Sequence, residues 1–378
     1  MFSVTSLGFL PFMALFACLW YRVPQPSRWK LVLAANAVFC LSIDIGAFFA
    51  VALATAVVWQ AAQHAQPEQP SRRGWLALGL AAALLPLLVL KYSGMLVPGL
   101  RDLYKPFGLA YYSLQLAGYL LDVWHGRTAP TPSYARLWCY AGFFLSLTQG
   151  PLNRYNTLMP QLEAAPKTFE TQRLVSGLQR SAWGYFKKFA IADRAAIVVS
   201  AAFADPASFD RSQLIFATVM YSFQLYADFS GYTDIVLGMG EILGLHLPEN
   251  FRQPFFSASV KELWARWHIS LSQWFRDYVY IPLGGNRKGI ARRDANLLLT
   301  FLVSGLWHGA NWTFLVWGGL HGLCQVAEDH MPAPLRKRKS LPLRIVGVPL
   351  TFAIFVTTFT IFRASSLGNA AAYFAGIL

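Results

Sequence analysis

From Leu31 to Ala62 the chain carries a single charged side chain, Asp44. A stretch that apolar is longer than one membrane crossing, which takes about 20 residues. Asp44 and Gly46 therefore divide it into two predicted helices. Similar runs cover Leu7 to Tyr21, Trp75 to Leu90, Phe107 to Trp124, Leu137 to Leu147, Phe186 to Phe203 and Leu214 to Leu237. Leu297 to Trp307, Trp312 to Ala327 and Ile345 to Phe362 follow. Inside hydrocarbon every backbone N–H and C=O must be satisfied by the protein, so runs of this kind dictate helices. The expected fold class is all-α: a polytopic helical membrane protein with roughly ten membrane segments. The shorter runs, such as Leu137 to Leu147, suit tilted, re-entrant or internally buried segments.

Composition agrees. Hydrophobic residues make up 55% of the chain and charged residues 13%, the latter about half the usual share of about 25%. This excludes disorder, a coiled coil and an ordinary cytosolic enzyme. Four Cys exclude a disulfide scaffold. The net charge of +14 would suggest nucleic acid in a soluble protein. In a membrane chain it points instead to basic cytoplasmic loops, with lipids as partners and no nucleic acid. Arg22, Arg28 and Lys30 follow the first run, and Arg72 and Arg73 follow the third, which predicts an N-terminus outside the cytoplasm. Arg336 to Lys339 is expected to be a cytoplasmic charge run. The first run lacks a basic leader and a clear cleavage site, so no cleavable signal peptide is expected. No repeat or long linker is visible, so residues 1–378 are taken as one membrane domain.

The stretch from Pro248 to Asn296 is neither apolar enough to span nor polar enough to be disordered. Trp264, Trp267, Phe275, Tyr278 and Tyr280 are interleaved with Lys261, Arg266 and Arg276. Rings and snorkelling cations suit the headgroup level, so the simple expectation is an interfacial amphipathic helix. The alternative is that the stretch also walls a cavity.

Among the seven His, His64 and His330 lie in polar loops, His125 ends a span and His246 sits in a polar turn. His268, His308 and His321 lie in or beside apolar, aromatic segments, where an ionisable group is a functional hypothesis by default. His308 stands in Ser304-Gly-Leu-Trp-His-Gly-Ala-Asn-Trp312, and its imidazole suits general base work near neutrality. The alternative is a His hydrogen-bonded between helices. Asp228 and Asp234 lie in an apolar run, and one of them could orient a His or pair with an Arg such as Arg154. An internal salt bridge or a bond to backbone is the plainer reading for both. Tyr226 and Gln224 are weaker candidates. Ser304 precedes His308, but no strand–turn–helix elbow is present to make it a nucleophile. The His and Cys spacings give no metal motif, so no metal site is expected.

The segment Leu299 to Leu323, LTFLVSGLWHGANWTFLVWGGLHGL, resembles the signature of the membrane-bound O-acyltransferase (MBOAT) superfamily, whose essential His falls in the Trp307-His308-Gly309 core. Pro106 to Arg127, Gly150 to Leu162, Gly184 to Asp193 and Tyr221 to Gly244 resemble further elements of that family. Pro248 to Gly289 is the most specific of them. Order and spacing agree over nearly the whole chain. Tyr280-Ile-Pro-Leu-Gly-Gly-Asn-Arg287, Asn311-Trp-Thr-Phe314, Trp317-Gly-Gly-Leu-His321 and Arg293 with Asn296 make the chain most similar to the alginate O-acetyltransferase branch. The D-alanyl transferase of teichoic acid synthesis is the nearest rival.

The resemblance implies helices around a central funnel with buried His. It implies transfer of an acetyl group across the bacterial cytoplasmic (inner) membrane to an exopolysaccharide or cell-wall polymer. It makes His308 the general base, buried between Trp307 and Trp312, with His268 lining the same channel. Trp307, Asn311, Trp312, Asp228, Arg154, Tyr226, Arg266 and Arg287 are the candidate channel residues. No cofactor is expected to be bound; acetyl-CoA or another acyl thioester would be the donor. The polymer, an extracytoplasmic acetyltransferase or an acyl carrier protein would be the partner. D-alanyl transfer from a carrier is one alternative; a transporter or a non-catalytic membrane partner is another. The segment Thr360 to Phe374 resembles an element after which alginate-type relatives continue, so a shorter C-terminus than theirs is expected.

Overall fold

The computed structural model describes residues 3–100, 103–166, 168–333, 335 and 340–378. The basic run 336–339 lies outside the described residues. Among the described residues the structure is helical, with one isolated antiparallel bridge between Phe251 and Trp267 and no strand. The helices are α1 (Phe9–Arg22), α2 (Arg28–Ile43), α3 (Ile45–His64), α4 (Arg72–Leu96), α5 (Leu109–Trp124), α6 (Tyr134–Ala141), α7 (Tyr155–Ala164) and α8 (Thr171–Phe186). They continue with α9 (Asp193–Ala204), α10 (Arg211–Ile242), α11 (Val260–Arg266), α12 (Ile269–Phe275), α13 (Ile290–His308) and α14 (Trp312–His330). The last two are α15 (Leu341–Arg363) and α16 (Leu367–Ile377).

Backbone contacts divide the chain into two compact units, Met1–Tyr185 with Tyr232–Pro248, and Phe186–Gly231 with Glu249–Leu378. In the first unit the break read at Asp44 is real. Asp44 ends α2, and its carboxylate accepts the Gly46 N–H at 2.9 Å to cap α3. The Trp20 indole donates to the Leu243 carbonyl at 3.0 Å, tying α1 to the chain just beyond α10. Arg28, counted above with the loop cations, is buried. Its guanidinium donates to the carbonyls of Ala165 at 3.1 Å and Pro166 at 2.7 Å.

Three described helices are long and apolar enough to cross a membrane: Ile45–His64, the helix that begins at Arg72, and Leu341–Arg363. Leu15, Phe49, Leu53, Leu88, Ile345 and Val346 point outward from their helices. Apolar side chains facing out along such helices suit contact with lipid.

In the second unit α13 and α14 are joined by the turn 309–311 and pack with their backbones close together. A Cβ added at Gly305 would overlap the Phe314 carbonyl, and one at Gly318 would overlap the Phe301 carbonyl. Small residues at such a crossing permit the close approach that membrane helices favour.

The aromatic-basic stretch is not one interfacial helix. Ser259 caps α11 by accepting the Glu262 N–H at 3.0 Å, but the helix ends at Arg266. The chain then pairs with residues 250–252: the Arg252 N–H donates to the Arg266 carbonyl at 3.0 Å and the Ile269 N–H to the Asn250 carbonyl at 3.1 Å. Between these two bonds His268 takes a left-handed conformation, φ 44°, and α12 restarts beyond it. The turn buries Trp264, Trp267, Phe275 and Tyr278, which a headgroup-level helix would leave outside. Local pairing with 250–252, invisible to a pattern of rings and cations, makes the difference.

Candidate active site

His308 is the last residue of α13. Its half-buried ring meets Trp307 at 4.9 Å, Trp317 at 5.1 Å and Phe362 at 5.2 Å between centroids, each edge to face. Gly309 follows in extended backbone, where a side chain would run into the Phe314 ring. The Trp expected on the far side of His308 is therefore corrected: Trp317, one turn into α14, takes that place, while Trp312 starts α14 and is 60% exposed.

His268 is buried against the same Trp. Its ring lies 6.2 Å from Trp307 and stands edge-on to Phe229 at 4.6 Å. Its Nε2 is buried with no hydrogen-bond partner among the described residues. A His held at positive φ with an unsatisfied ring nitrogen is the kind of local strain that gathers at functional sites. Two residues further on, the Ser270 hydroxyl donates to Asn250 Oδ1 at 2.6 Å.

A cavity of about 300 Å³ lies in the second unit, lined mainly by Trp264, Leu271, Phe275, Leu297 and Phe301; neither His268 nor His308 lines it. Lys261, Arg276, Gln325, Asp329, Ser272 and Ser304 supply its polar points. Ser304 is four residues before His308, so both lie on one face of α13. The aromatic-basic stretch thus does wall a cavity, as the second reading above held.

Asp228 pairs with Lys188 at 2.6 Å, and Lys188 also reaches Asp193 at 2.9 Å. Asp234 pairs with Arg180 at 3.1 Å in the first unit, which also holds Arg154 at the N-cap of α7. The internal ion-pair reading of both Asp residues is the one the geometry supports. Tyr226 packs on Phe251 and Phe255, with the Lys187 ammonium 5.8 Å from its ring. Arg266 is held by Glu262 at 2.7 Å, and Arg287 is exposed in the Gly-rich loop. Asn311 caps α14 through Thr313 at 3.2 Å and donates to the Ser365 carbonyl at 2.7 Å.

Sequence reasoning met Trp317 and the Lys187-Lys188 pair only inside family-like segments and gave neither a role. The first was legible from its spacing, one turn before His321 on the same helix. The second was legible as two charges opening an apolar run, next to a π-helical segment, Lys187–Ala192.

An all-helical, outwardly apolar chain with a His set in an aromatic cluster beside a cavity is the frame of a membrane enzyme. The chain belongs to the MBOAT, membrane-bound O-acyltransferase family, whose sequence model matches residues 90–367. It is an acyltransferase, similar to several curated bacterial proteins. The probable alginate O-acetylase of Azotobacter vinelandii is 35% identical over 97% of this chain and 75% of its own length. The peptidoglycan O-acetyltransferase of Helicobacter pylori is 31% identical over 81% of this chain and 65% of its own. The teichoic acid D-alanyltransferase of Bacillus subtilis is 28% identical over 82% of this chain and 84% of its own.

Proposed function

We propose that this chain moves an acetyl group from a cytoplasmic thioester, with acetyl-CoA as the donor, to a polymer hydroxyl, with His308 as general base. The observation that carries the reading is the position of His308, one turn beyond the cavity-wall residue Ser304 and only half-buried. The names of the acetylating relatives support the acyl group. In this mechanism the hydroxyl oxygen attacks the thioester carbonyl carbon while His308 takes its proton. The C–S bond then breaks, and the imidazolium returns that proton to the leaving thiolate, giving an ester and a free thiol. Trp307, Trp317 and Phe362 keep water from the acyl group, which suppresses hydrolysis.

His268, with its open Nε2, faces the same channel and holds a substrate oxygen. The apolar cavity takes the acyl arm of the donor, and Lys261 and Arg276 favour its anionic part. Asn311, Trp312, Tyr226, Asp228, Arg154, Arg266 and Arg287 are channel candidates in the same reading. The acceptor hydroxyl belongs to an exopolysaccharide or cell-wall polymer, or to an extracytoplasmic acetyltransferase that passes the group on. Roughly ten segments enclose the funnel in the bacterial inner membrane, with the N-terminus outside and basic loops in the cytoplasm.

The test is transfer from labelled acetyl-CoA in inverted vesicles. His308→Ala is expected to lower the rate at least about 100-fold, and wild-type activity in that variant would overturn the base assignment. D-alanyl transfer is the second reading, favoured by the D-alanyltransferase relative. Labelled D-alanyl carrier protein in the same vesicles, consumed while acetyl-CoA is not, would establish it instead.

A further inference from the structure

His321 is fully buried in α14, one turn beyond Trp317. Both of its ring nitrogens are engaged. The Trp264 indole N–H donates to Nδ1 at 3.2 Å, and Thr358 Oγ1 lies 3.0 Å from Nε2. An indole nitrogen can only donate, so Nδ1 is an acceptor and carries no proton. The Thr358 hydroxyl hydrogen is directed to the Ile354 carbonyl at 2.7 Å, so its oxygen accepts from Nε2–H. These partners assign one species to His321, the neutral Nε2–H imidazole. A proton added at Nδ1 would set two N–H groups against each other.

The partner on the Nδ1 side is a wall of the cavity. Trp264 lines it beside Phe301 and Ser304, and its ring packs on Phe301 at 5.3 Å and Trp317 at 5.6 Å. The partner on the Nε2 side belongs to α15. His321 therefore joins three helices, α11, α14 and α15, through a directed chain of donors and acceptors. Ring packing restricts the Trp264 rotamer, and the directed bond to Nδ1 adds a preference for the orientation that points the indole N–H at His321.

We infer that His321 is a positioning residue: as the neutral Nε2–H tautomer it holds the Trp264 indole in the cavity wall, and so sets how tightly the acyl donor is bound. It is not a second base, because neither nitrogen is open. The inference rests on the proposed role of the cavity as donor site.

Three purified variants test it: His321→Phe, His321→Asn and Trp264→Phe. Phe keeps the ring and loses the acceptor. Asn places a carbonyl oxygen near the Nδ1 position and keeps the acceptor. Kinetics are measured with acetyl-CoA and with D-alanyl carrier protein, using whichever the wild type consumes. His321→Phe and Trp264→Phe are expected to raise the donor KM about tenfold with kcat within about twofold, and His321→Asn to return KM to within about threefold of wild type. Equal KM in all four proteins, or Asn as impaired as Phe, overturns the role.

A second measurement needs no substrate. In 15N-tryptophan-labelled protein the Trp264 indole resonance, assigned by its loss in Trp264→Phe, is expected to exchange slowly in wild type and His321→Asn and rapidly in His321→Phe. Rapid exchange in the wild type, or no difference between the variants, overturns the inference. If the wild type consumes neither donor, the proposed donor chemistry has failed, and the indole exchange alone decides whether His321 positions Trp264.

Discussion

His308 and Trp317 meet edge to face across the α13–α14 turn, their ring centroids 5.1 Å apart. Trp317 is 1% exposed and also packs on Phe359 and Phe362. With Trp307 and Phe362 it is one of three rings that meet the imidazole edge to face. Replacing it with Phe keeps an apolar ring but shortens its reach. Trp317→Phe is expected to remain folded and to lower kcat by about ten- to a hundredfold, because misplacing a reacting group by about 1 Å is worth that much. Steady-state transfer beside a thermal unfolding curve checks both halves; an unchanged kcat would remove Trp317 from the positioning of His308.

The close crossing of α13 and α14 gives a second expectation. Gly318 has no room for a Cβ beside the Phe301 carbonyl, whereas the neighbouring Gly319 would place one 3.6 Å from Leu302, an ordinary contact. Gly318→Ala should therefore destabilise by about 1–3 kcal/mol through overpacking, while Gly319→Ala is nearly neutral or slightly stabilising in a helix interior. Unfolding in detergent compares the two. Equal midpoints would mean that the helices separate without penalty.

The contrast between these helices and the stretch before them shows what a sequence can carry. α13 and α14 are long, periodic and bounded by Gly309 and Asn311, so their positions follow from local chemistry. The break at Asp44 was legible for the same reason: a capping side chain interrupts an apolar run. The break at His268 was not. It depends on hydrogen bonds to residues 250–252, a pairing between two segments that both look like candidates for helix or loop. The same holds for Trp317 against Trp312. Helical spacing predicts which residues share a face, but which of two nearby Trp reaches His308 depends on how the turn 309–311 directs the following helix. The ion pairs of Asp228 and Asp234 were foreseeable in kind, since a carboxylate in an apolar run needs a cation. Their partners, Lys188 and Arg180, are distant in sequence and only the fold selects them.

The Lys188–Asp228 pair invites a double-mutant cycle. Its side chains are 24% and 37% exposed, so bulk screening reduces its worth, and Lys188 has a second partner in Asp193. Lys188→Met and Asp228→Asn are each expected to destabilise more than half as much as the two together, with a coupling on the order of 1 kcal/mol. Strict additivity in unfolding free energies would show that the pair contributes nothing.

Asp44 gives a pH-dependent expectation. It sits in the turn between α2 and α3, where its carboxylate accepts from the Gly46 N–H, the Phe107 N–H at 3.1 Å and the Tyr104 hydroxyl. Burial raises its pKa, but the bonds from Tyr104 and from the backbone outweigh burial and hold it below the ordinary Asp value. A depressed folded pKa means the contribution is fully present above the unfolded value of about 3.9 and is lost as pH falls through the folded value. Asp44→Asn keeps a capping oxygen but cannot titrate, and Asn caps about as well as Asp. Asp44→Ala loses the cap and should cost about 1 kcal/mol at neutral pH. Plotted against pH, the stability difference between wild type and Asp44→Asn should be level from pH 7 down to about 4 and shrink below that. A difference that grows on acidification would mean that the carboxylate is destabilising in the folded protein and that its hydrogen bonds do not compensate for burial.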